Sequence, residues 1–360
     1  MVTVSAGGRT IEVSHAERVV FPDIGLTKGD VVDYYVRIAP HLLPHLAGRP
    51  LTLQRFPQGV EGPGFWGKER PKHFPDWVGA ASVPVREKRR AGQLTMTVVD
   101  DEAALAYVVN QGMVTPHVWL SRADRPQNPD RLVFDLDPGE ASFAVVQDTA
   151  LLLRERLEDL GLVPFAKTTG SSGLHVEVPL DRSATTDEAR AFADALAAQL
   201  ADERPDVLTT AFRKAERGGR LYLDVARNGH AQTEVAAYGL RPKPGAPVAA
   251  PLEWDEVGDR SLTAQRWTVV NIFRRLAQRS DPWDSFADGA RPLPAFRPGA
   301  SGYVPGMEMD ELKGRAKEAA GDLTDDDDLK REGKVDQTSA DVKEKVGDAV
   351  DAVKDKLHKD

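Results

Sequence analysis

Two aspartates in the segment Arg131–Gly139, RLVFDLDPG, have the residue type and spacing of a cation site. Strand-forming Leu, Val and Phe residues surround the first, and a Pro-Gly pair ends the run. Because side chains at i and i+2 of a β-strand face the same side, Asp135 and Asp137 are predicted to project together. Their oxygens suit Mg²⁺ or Mn²⁺, and two such ions support phosphoryl transfer. A strand-end turn with solvated aspartates is the alternative.

A second predicted strand supplies a third acidic side chain. In Gly219–Asn228, GRLYLDVARN, the alternation places Tyr222 and Asp224 on one face. An aspartate inside an apolar strand is costly to bury unless it is paired or bound to a metal. Asp224 is therefore a candidate third ligand. A salt bridge from Asp224 to Arg220 or Arg227 is the alternative.

The segment Lys167–Pro179, KTTGSSGLHVEVP, is a turn rich in Gly, Ser and Thr that leads into a strand. Gly170 and Gly173 permit backbone angles that aim successive N–H groups at an anion, and the hydroxyls add donors. His175, at the start of the strand, is placed to donate to a phosphate oxygen. The turn is not a Walker loop because no GK[ST] follows. An ordinary strand-connecting turn is the alternative.

Basic clusters and charged aromatic stretches indicate a nucleic-acid partner, because cations meet phosphates and aromatic rings stack on bases. The aromatic stretch is Gly64–Trp77, GFWGKERPKHFPDW. An ordinary solvated face is the alternative for each cluster. His117, two residues before Trp119, is ambiguous from its residue type, and a structural role is its simpler interpretation. The basic clusters are Arg86, Lys88, Arg89 and Arg90, and Arg213, Lys214, Arg217 and Arg220.

The elements that must position these side chains are short strands interleaved with longer helices. Such a pattern favours an α/β or α+β domain with a mixed sheet. The predicted strands are Leu51–Phe56, Thr95–Val99, Leu132–Asp137, Leu174–Val178 and Arg220–Ala226. The predicted helices are Lys28–Leu46, Phe143–Leu160, Thr186–Glu203 and Leu262–Gln278.

Composition limits the class of protein. The 360 residues are 41% hydrophobic and 29% charged, which suits a soluble globular chain of two domains, or of one with an appendage. No apolar run approaches the ~20 residues of a membrane helix, and the first residues lack a secretory signal, so no membrane partner is expected. The absence of cysteine excludes disulfides, thiolate zinc sites and iron–sulfur clusters, and a cytoplasmic location is the default.

The net charge of −9 is unevenly distributed. Residues 307–360 hold 11 Lys/Arg and 17 Asp/Glu, whereas residues 1–306 hold 36 and 39. An almost neutral body can still present basic faces to nucleic acid. The Gly- and Pro-rich residues 289–306 are a predicted linker between a domain at 1–288 and the acidic tail. Weak helices are expected in the tail from about Met309 to Gly321 and from about Ala340 to Leu357, with much disorder.

Several strings, in order, resemble the polymerase domain of bacterial DNA ligase D, a member of the archaeo-eukaryotic primase superfamily. The resemblance covers about residues 10–285 and implies an α+β primase-polymerase fold with mixed β-sheets flanked by helices. The tail separately resembles the CsbD family through DELKGRAKEAAGDLTDDDDLKREGKVDQ, which implies a small helical, partly disordered extension. The strings are ERVVFPDIGLTKGDVVDYY, LLPHLAGRPLTLQRFPQGV, GFWGKERP, TPHVWLSR, RLVFDLDPG, TTGSSGLHVEVPL, GRLYLDVARNG and AAYGLRPKPGAPVAAPLEWDEV.

The resemblance also implies roles for individual residues. The three aspartates would be the catalytic metal ligands for two Mn²⁺ or Mg²⁺ ions, and His117 would lie near the active centre. Family members usually carry Lys or Arg where this chain has Ser172, so triphosphate binding is expected to be weaker. The implied nucleotide contacts are Thr169, Ser171, Ser172, His175, Arg220 and Arg241. The implied pocket for a DNA 5′-phosphate is formed by Arg18, Lys28, Phe65 and Lys68.

The expected function is that of a template-directed nucleotidyltransferase that extends primers and fills gaps at DNA ends in double-strand break repair by non-homologous end joining. The resemblance implies a two-metal mechanism, a preference for NTPs over dNTPs, and Mn²⁺. Expected partners are DNA ends or gapped duplex, a Ku-type end-binding protein and a separate DNA ligase, in a nucleoid-associated cytoplasmic location. A non-catalytic DNA-end-binding or bridging factor is one alternative, and a two-metal phosphohydrolase is another.

Overall fold

The computed structural model describes residues 2–87 and 90–294, without the side chains of residues 85–91. Its strands are β1 (Val2–Ala6), β2 (Arg9–Val13), β3 (Val19–Phe21), β4 (Leu26–Thr27), β5 (Leu51–Arg55), β6 (Phe65–Gly67), β7 (Gly79–Glu87), β8 (Arg90–Val98), β9 (Met113–Trp119), β10 (Arg131–Asp137), β11 (Phe165–Thr168), β12 (Leu174–Pro179), β13 (Leu208–Thr209), β14 (Leu221–Asp224), β15 (Thr233–Val235) and β16 (Pro251–Leu252). Its helices are α1 (Lys28–Leu46), α2 (Glu102–Asn110), α3 (Phe143–Asp159), α4 (Thr186–Glu203), α5 (Trp254–Gly258) and α6 (Ile272–Gln278).

Two larger sheets organise the described residues. The first sheet has the strand order β13-β14-β10-β12-β11-β16, and all its pairs are antiparallel except β13 with β14. The second sheet has the order β15-β9-β5-β8-β7, and β6 pairs with β5. A mixed sheet with helices inserted between strands confirms the α+β prediction.

The two faces of the first sheet differ in polarity because the side chains alternate along each strand. On one face, Leu132, Phe134 and Leu136 of β10 are fully buried in an apolar cluster with residues of α3 and α4. Burial of each such side chain stabilises the fold by about 1.5–3 kcal/mol. The opposite face carries Asp135 and Asp137, which are therefore held on a strand that the core fixes in place.

Helix starts follow the sequence prediction closely. Thr27 caps α1, and its hydroxyl accepts from the Asp30 N–H while the Asp30 carboxylate accepts from the Thr27 N–H. Thr185 and Glu188 form the same reciprocal pair at the start of α4. Both predicted helices are confirmed with their bounds, and α3 ends one residue before the predicted end.

The predicted helix Leu262–Gln278 is wrong over its first ten residues, because only α6 is helical. The preceding backbone is used in tertiary pairing: Trp267 O accepts from Val248 N at 2.9 Å, and residue 268 forms an isolated β-bridge with residue 247. Residues 268–270, Thr-Val-Val, are also β-branched, which disfavours a helix.

Two predicted strands differ from the observed bounds by more than one residue, and some sequence predictions fall outside the described residues. β14 is shorter than predicted because Ala226–Asn228 forms a 3-10 helix, and β8 begins five residues before the predicted start. The linker beyond residue 294 and the whole tail, with its two predicted helices, lie outside the described residues. The side chains of Arg86, Lys88, Arg89 and Arg90 do so too. In residues 2–87 and 90–294, no helix is long and apolar enough to cross a membrane.

Candidate active site

Strand register brings the three predicted aspartates together. Asp135 of β10 lies directly opposite Asp224 of β14, and on its other side it lies opposite His175 of β12. Asp137 is two residues further along β10, on the same face. All four side chains line one cavity of about 370 Å³ that opens between the two sheets. The geometry is that of a carboxylate centre, and the roles of its members stay predictions.

The carboxylates of this centre have unequal electrostatic surroundings. Burial and the negative charge of Asp135 raise the pKa of Asp224. Burial also acts to raise the pKa of Asp135, but the charge and hydrogen bond of His175, together with the charges of Arg227 and Arg241, outweigh it, so that this pKa is lowered. Burial acts to lower the pKa of His175, but the neighbouring carboxylates, Asp135 foremost, together outweigh it and raise this pKa to about 10. Negative charge at Asp224 is thus incompletely compensated, which fits a site for an added cation.

Two arginines that sequence reasoning did not assign to the site face these carboxylates. Arg227 Nε lies 4.0 Å from Asp135 Oδ2 and 3.9 Å from Asp224 Oδ2. Arg217 Nη1 donates to Asp137 Oδ2 at 2.8 Å. Arg227 had a sequence signal, since it follows Asp224 by three residues and was its alternative partner. The three carboxylates still form an all-oxygen donor set around one cavity, which fits Mg²⁺ or Mn²⁺.

A second acidic group under the cavity does not fit a metal. Ligand atoms of His175, Glu177 and Glu234 lie within 4.8 Å of one another. However, the buried Lys167 ammonium donates to Glu177 and, at 3.1 Å, to Glu234 Oε2. Arg131 Nη1 lies 3.3 Å from both carboxylates. Lys167 and Arg131 therefore already neutralise the carboxylates of Glu177 and Glu234.

The Gly- and Ser-rich turn enters the same cavity through Thr169, Ser171 and Ser172. The Thr169 hydroxyl accepts from the Ser171 and Gly173 N–H groups, both at 3.2 Å, so it shapes the turn. Gly170 has φ +62°, and a Cβ on it would lie 2.7 Å from Arg241 Cγ. A Cβ on Gly173 would collide with the carbonyl oxygen of Leu136. A side chain at position 170 would therefore clash with Arg241, and one at position 173 would clash with the backbone of β10, so both positions need glycine.

Two donors in the cavity lack partners within the described part of the chain. His117 Nε2 and Arg241 Nε are buried without a hydrogen-bond partner. Burial and the nearby charges of Arg241 and Arg227 hold the pKa of His117 well below its usual value. Trp66, which is 51% exposed, packs edge-on against His117 with ring centroids 4.7 Å apart. This wall of the cavity offers a donor group beside an accessible aromatic ring.

Arg220 is not brought to this cavity. Its guanidinium donates to the carbonyl oxygens of Arg217 at 2.8 Å, Glu216 at 3.1 Å and Pro205 at 3.2 Å. These contacts hold it beside the turn before β14, whereas Arg217 points to Asp137. The other predicted nucleotide contacts do line the cavity: they are Thr169, Ser171, Ser172, His175 and Arg241.

Two of the four residues predicted to bind a 5′-phosphate lie together in another cavity, of about 160 Å³. Lys28 Nζ donates there to Ser14 O at 2.6 Å, and Arg18 Nη1 donates to Pro57 O at 2.6 Å. Burial, and then the charge of Arg18, lower the pKa of Lys28 to about 8. Phe65 and Lys68 lie on and just after β6 and do not line this cavity. The Arg55 guanidinium covers the Phe65 ring, 5.1 Å from its centroid.

Comparison with known proteins agrees with this architecture, which is that of a polymerase domain. The solved polymerase domain of Mycobacterium tuberculosis ligase D in complex with DNA is similar to it with a TM-score of 0.73 and 33% sequence identity, over 78% of this chain and 99% of that chain. Residues 27–283 match the family model described as LigD, primase-polymerase domain. The chain belongs to this LigD primase-polymerase family, as the resemblance predicted.

Curated relatives are longer proteins of end joining. The multifunctional non-homologous end joining DNA repair protein LigD of M. tuberculosis is 34% identical over 286 residues, which are 77% of this chain and 37% of that protein. LigD of Pseudomonas aeruginosa is 30% identical over 280 residues, 77% of this chain and 33% of that protein. The chain thus spans about a third of the length of these relatives.

The tail has its own matches. Residues 308–355 match the CsbD-like family model. The UPF0337 protein CE0198 of Corynebacterium efficiens is 48% identical over 46 residues, which are 13% of this chain and 60% of that protein. The predicted resemblance of the tail to the CsbD family is confirmed.

Proposed function

We propose that the chain is a template-directed nucleotidyltransferase that extends primers and fills gaps at DNA ends during non-homologous end joining. The observation that carries this proposal is the cross-strand pair of Asp135 and Asp224, with Asp137 beside it, in a cavity that also contains a glycine-rich turn and unpartnered donors. Membership of the LigD primase-polymerase family supports nucleotidyl transfer, and similarity to a polymerase domain solved in complex with DNA supports DNA as the substrate class.

Different residues of the cavity would have different roles in the reaction. Asp135, Asp137 and Asp224 would hold two Mn²⁺ or Mg²⁺ ions, which supply activation of the primer 3′-hydroxyl and neutralisation of phosphate charge when bound. The hydroxyl groups of Ser171 and Ser172, which line the cavity, would donate to the triphosphate, since the Ser171 and Gly173 N–H groups already donate to Thr169. Arg241 would add its unpartnered guanidinium donor there.

Two further side chains would orient the nucleotide. His117 would donate Nε2–H to it, because a buried ring nitrogen without a partner is costly until a ligand supplies one. The accessible ring of Trp66 would stack on a base.

The test is extension of a gapped duplex that carries a 5′-phosphate downstream of the gap, with NTPs or dNTPs and Mn²⁺. Elongated primers are expected, with NTPs preferred. Shortened strands would instead favour the phosphohydrolase. Binding of DNA ends without measurable NTP affinity would favour a non-catalytic bridging factor. A Ku-type protein and a separate ligase are proposed partners, and the proposed location is nucleoid-associated and cytoplasmic.

Ser172 permits a test by gain of function. Its side chain is exposed at the cavity, at a position where the resemblance implies Lys or Arg. Ser172→Lys should lower the KM for NTP about tenfold, since a charge-assisted hydrogen bond contributes about 1.5–3 kcal/mol. Steady-state kinetics at fixed primer concentration measures this change. Ser5→Lys, which adds the same charge at an exposed position of β1, should leave KM unchanged. Equal effects of the two variants would contradict a phosphate contact at residue 172.

The proposed 5′-phosphate pocket predicts a pH dependence. Lys28 has a pKa of about 8 and must be protonated to attract the phosphate. The free side chain loses its proton as the pH rises through that value, so the preference for 5′-phosphate over 5′-hydroxyl DNA should fall by up to about tenfold between about pH 7 and pH 9. Fluorescence anisotropy with both DNAs measures the preference. Lys28→Arg, which stays charged, should make it independent of pH. An unchanged slope in that variant would assign the titration to another group.

The division into a domain at 1–288, a linker at 289–306 and a tail at 307–360 is likewise a proposal. It is supported by family matches that end at residue 283 and resume at residue 308. The end of the first match lies within the described, folded part of the chain, and both matches leave the Gly- and Pro-rich segment uncovered.

A further inference from the structure

Five charged side chains are buried between the two sheets, directly beneath the carboxylate centre, and none is more than 5% exposed. Four of them project from the first sheet, and one comes from β15 of the second sheet. They are Arg131, Lys167, His175, Glu177 and Glu234. We call them the inter-sheet charge cluster.

Glu234, the member from β15, contacts three of the other four. Its Oε2 lies 3.1 Å from His175 Nδ1 and accepts from Lys167 Nζ at 3.1 Å. Its Oε1 accepts from Arg131 Nη1 at 3.3 Å. A carboxylate with this many charged donors has little freedom to rotate, so Glu234 is a rigid contact between the second sheet and the histidine.

Glu177 has the same residue type, the same burial and two of the same partners. It accepts from Lys167 Nζ and from Arg131 Nη1. Its nearest oxygen, however, lies 3.9 Å from His175 Nδ1, which is beyond hydrogen-bond distance. The two glutamates therefore differ in their contact with the histidine ring, because only Glu234 lies within hydrogen-bond distance of Nδ1.

The other edge of that ring faces the carboxylate centre. His175 Nε2 lies 3.5 Å from Asp135 Oδ1, while Asp135 Oδ2 is the oxygen that faces Arg227. A ring held at Nδ1 cannot turn without losing one of these contacts. Its orientation consequently keeps Asp135 Oδ1 beside Nε2 and leaves Oδ2 on the side of Arg227.

We propose that Glu234 is a positioning residue that acts through His175 to orient Asp135 for metal binding. This inference rests on the proposed function, because it takes Asp135 to be a metal ligand. Glu234 belongs to the second sheet and lies outside every sequence motif, so the proposal adds a new residue to those that control metal binding at the carboxylate centre. Groups that orient a ligand from behind change metal affinity by about 10- to 100-fold when they are replaced.

The experiment compares Glu234→Gln with Glu177→Gln in the full chain. Both variants remove one negative charge from the inter-sheet charge cluster with little change in side-chain volume, and both should lower Tm by similar amounts. Mn²⁺ binding without nucleotide or DNA is followed by electron paramagnetic resonance of the free ion. Glu234→Gln should raise the Mn²⁺ dissociation constant about tenfold, and Glu177→Gln should change it by less than about twofold. Equal shifts in both variants, or no shift in Glu234→Gln, would overturn the proposal.

Glu234→Asp provides a second variant if Glu234→Gln fails to fold. It keeps the charge near Lys167 but withdraws the carboxylate from the ring by one methylene. It should therefore also weaken Mn²⁺ binding. Wild-type Mn²⁺ affinity in this variant would refute positioning by Glu234. The proposed function fails separately, if the wild-type chain and Asp137→Ala bind Mn²⁺ equally weakly. If Asp137→Ala abolishes binding while the Glu234 variants retain it, only the positioning role is lost.

Discussion

Asp224→Asn should lower the rate of primer extension by at least about 100-fold, because loss of a ligand oxygen removes several kcal/mol of transition-state stabilisation. The same change should leave Tm in the absence of metal unchanged or higher. The raised pKa of Asp224 means that its ionised form is disfavoured in the fold, by burial and by Asp135 across the strand pair. Its negative charge therefore costs stability at neutral pH, and asparagine removes that cost. Single-turnover extension and thermal unfolding measure the two effects.

Asp194→Asn is the matched control for this variant. Asp194 is a nearby, mostly buried carboxylate on α4 that accepts from Arg190 at 2.6 Å and does not line the cavity. Its replacement should keep the extension rate within about threefold of the parent, because no ligand or nucleotide contact is lost. An Asp224→Asn variant that extends primers as fast as Asp194→Asn would remove the basis for the carboxylate centre.

Arg241→Gln should raise the KM for NTP by about 10- to 100-fold with a smaller effect on kcat, since a charge-assisted hydrogen bond contributes about 1.5–3 kcal/mol. The Arg241 Nε is buried without a partner in the described structure, and its stem packs against the turn at Gly170. A triphosphate would supply the missing acceptor. Initial rates at varied NTP concentration separate the two constants.

Arg220→Gln is the informative comparison for this second variant. The resemblance implied that Arg220 assists the triphosphate, but its guanidinium donates to three backbone carbonyls. Its replacement should lower Tm and leave the KM for NTP within about twofold, because the lost contacts are structural. A rise in KM equal to that of Arg241→Gln would show that Arg220 leaves those carbonyls when nucleotide binds.

Local sequence pattern was enough to predict the features that depend on neighbours in the chain. The shared face of Asp135 and Asp137 follows from the two-residue period of a strand, and the start of α4 at Thr186 follows from the acid-rich first turn of Asp187 and Glu188. The placement of Asp224 opposite Asp135 needed more than periodicity. It depends on the pairing of β10 with β14 across almost 90 residues, which only the family resemblance could supply.

Contacts between the two sheets could not be predicted in this way. Glu234 lies in an ordinary-looking strand, and its meeting with Lys167 and His175 depends on how the sheets pack. Arg217 contacts Asp137, whereas the predicted Arg220 does not reach the cavity, and this difference has a local cause. Gly218 and Gly219 both have positive φ, +57° and +74°, and such a turn redirects the side chains on either side of it.

The alternation along β10 has a consequence for how the gene can vary in length. Leu132, Phe134 and Leu136 pack the core while Asp135 and Asp137 face the cavity, so inserting or deleting one codon within this strand would exchange apolar and acidic side chains on both faces at once. Both folding and chemistry would be lost through a single indel. Tolerated length changes should therefore concentrate in the connections that flank the strand, such as residues 122–129 and 138–142. There, one residue more or less does not exchange the apolar and acidic faces of β10.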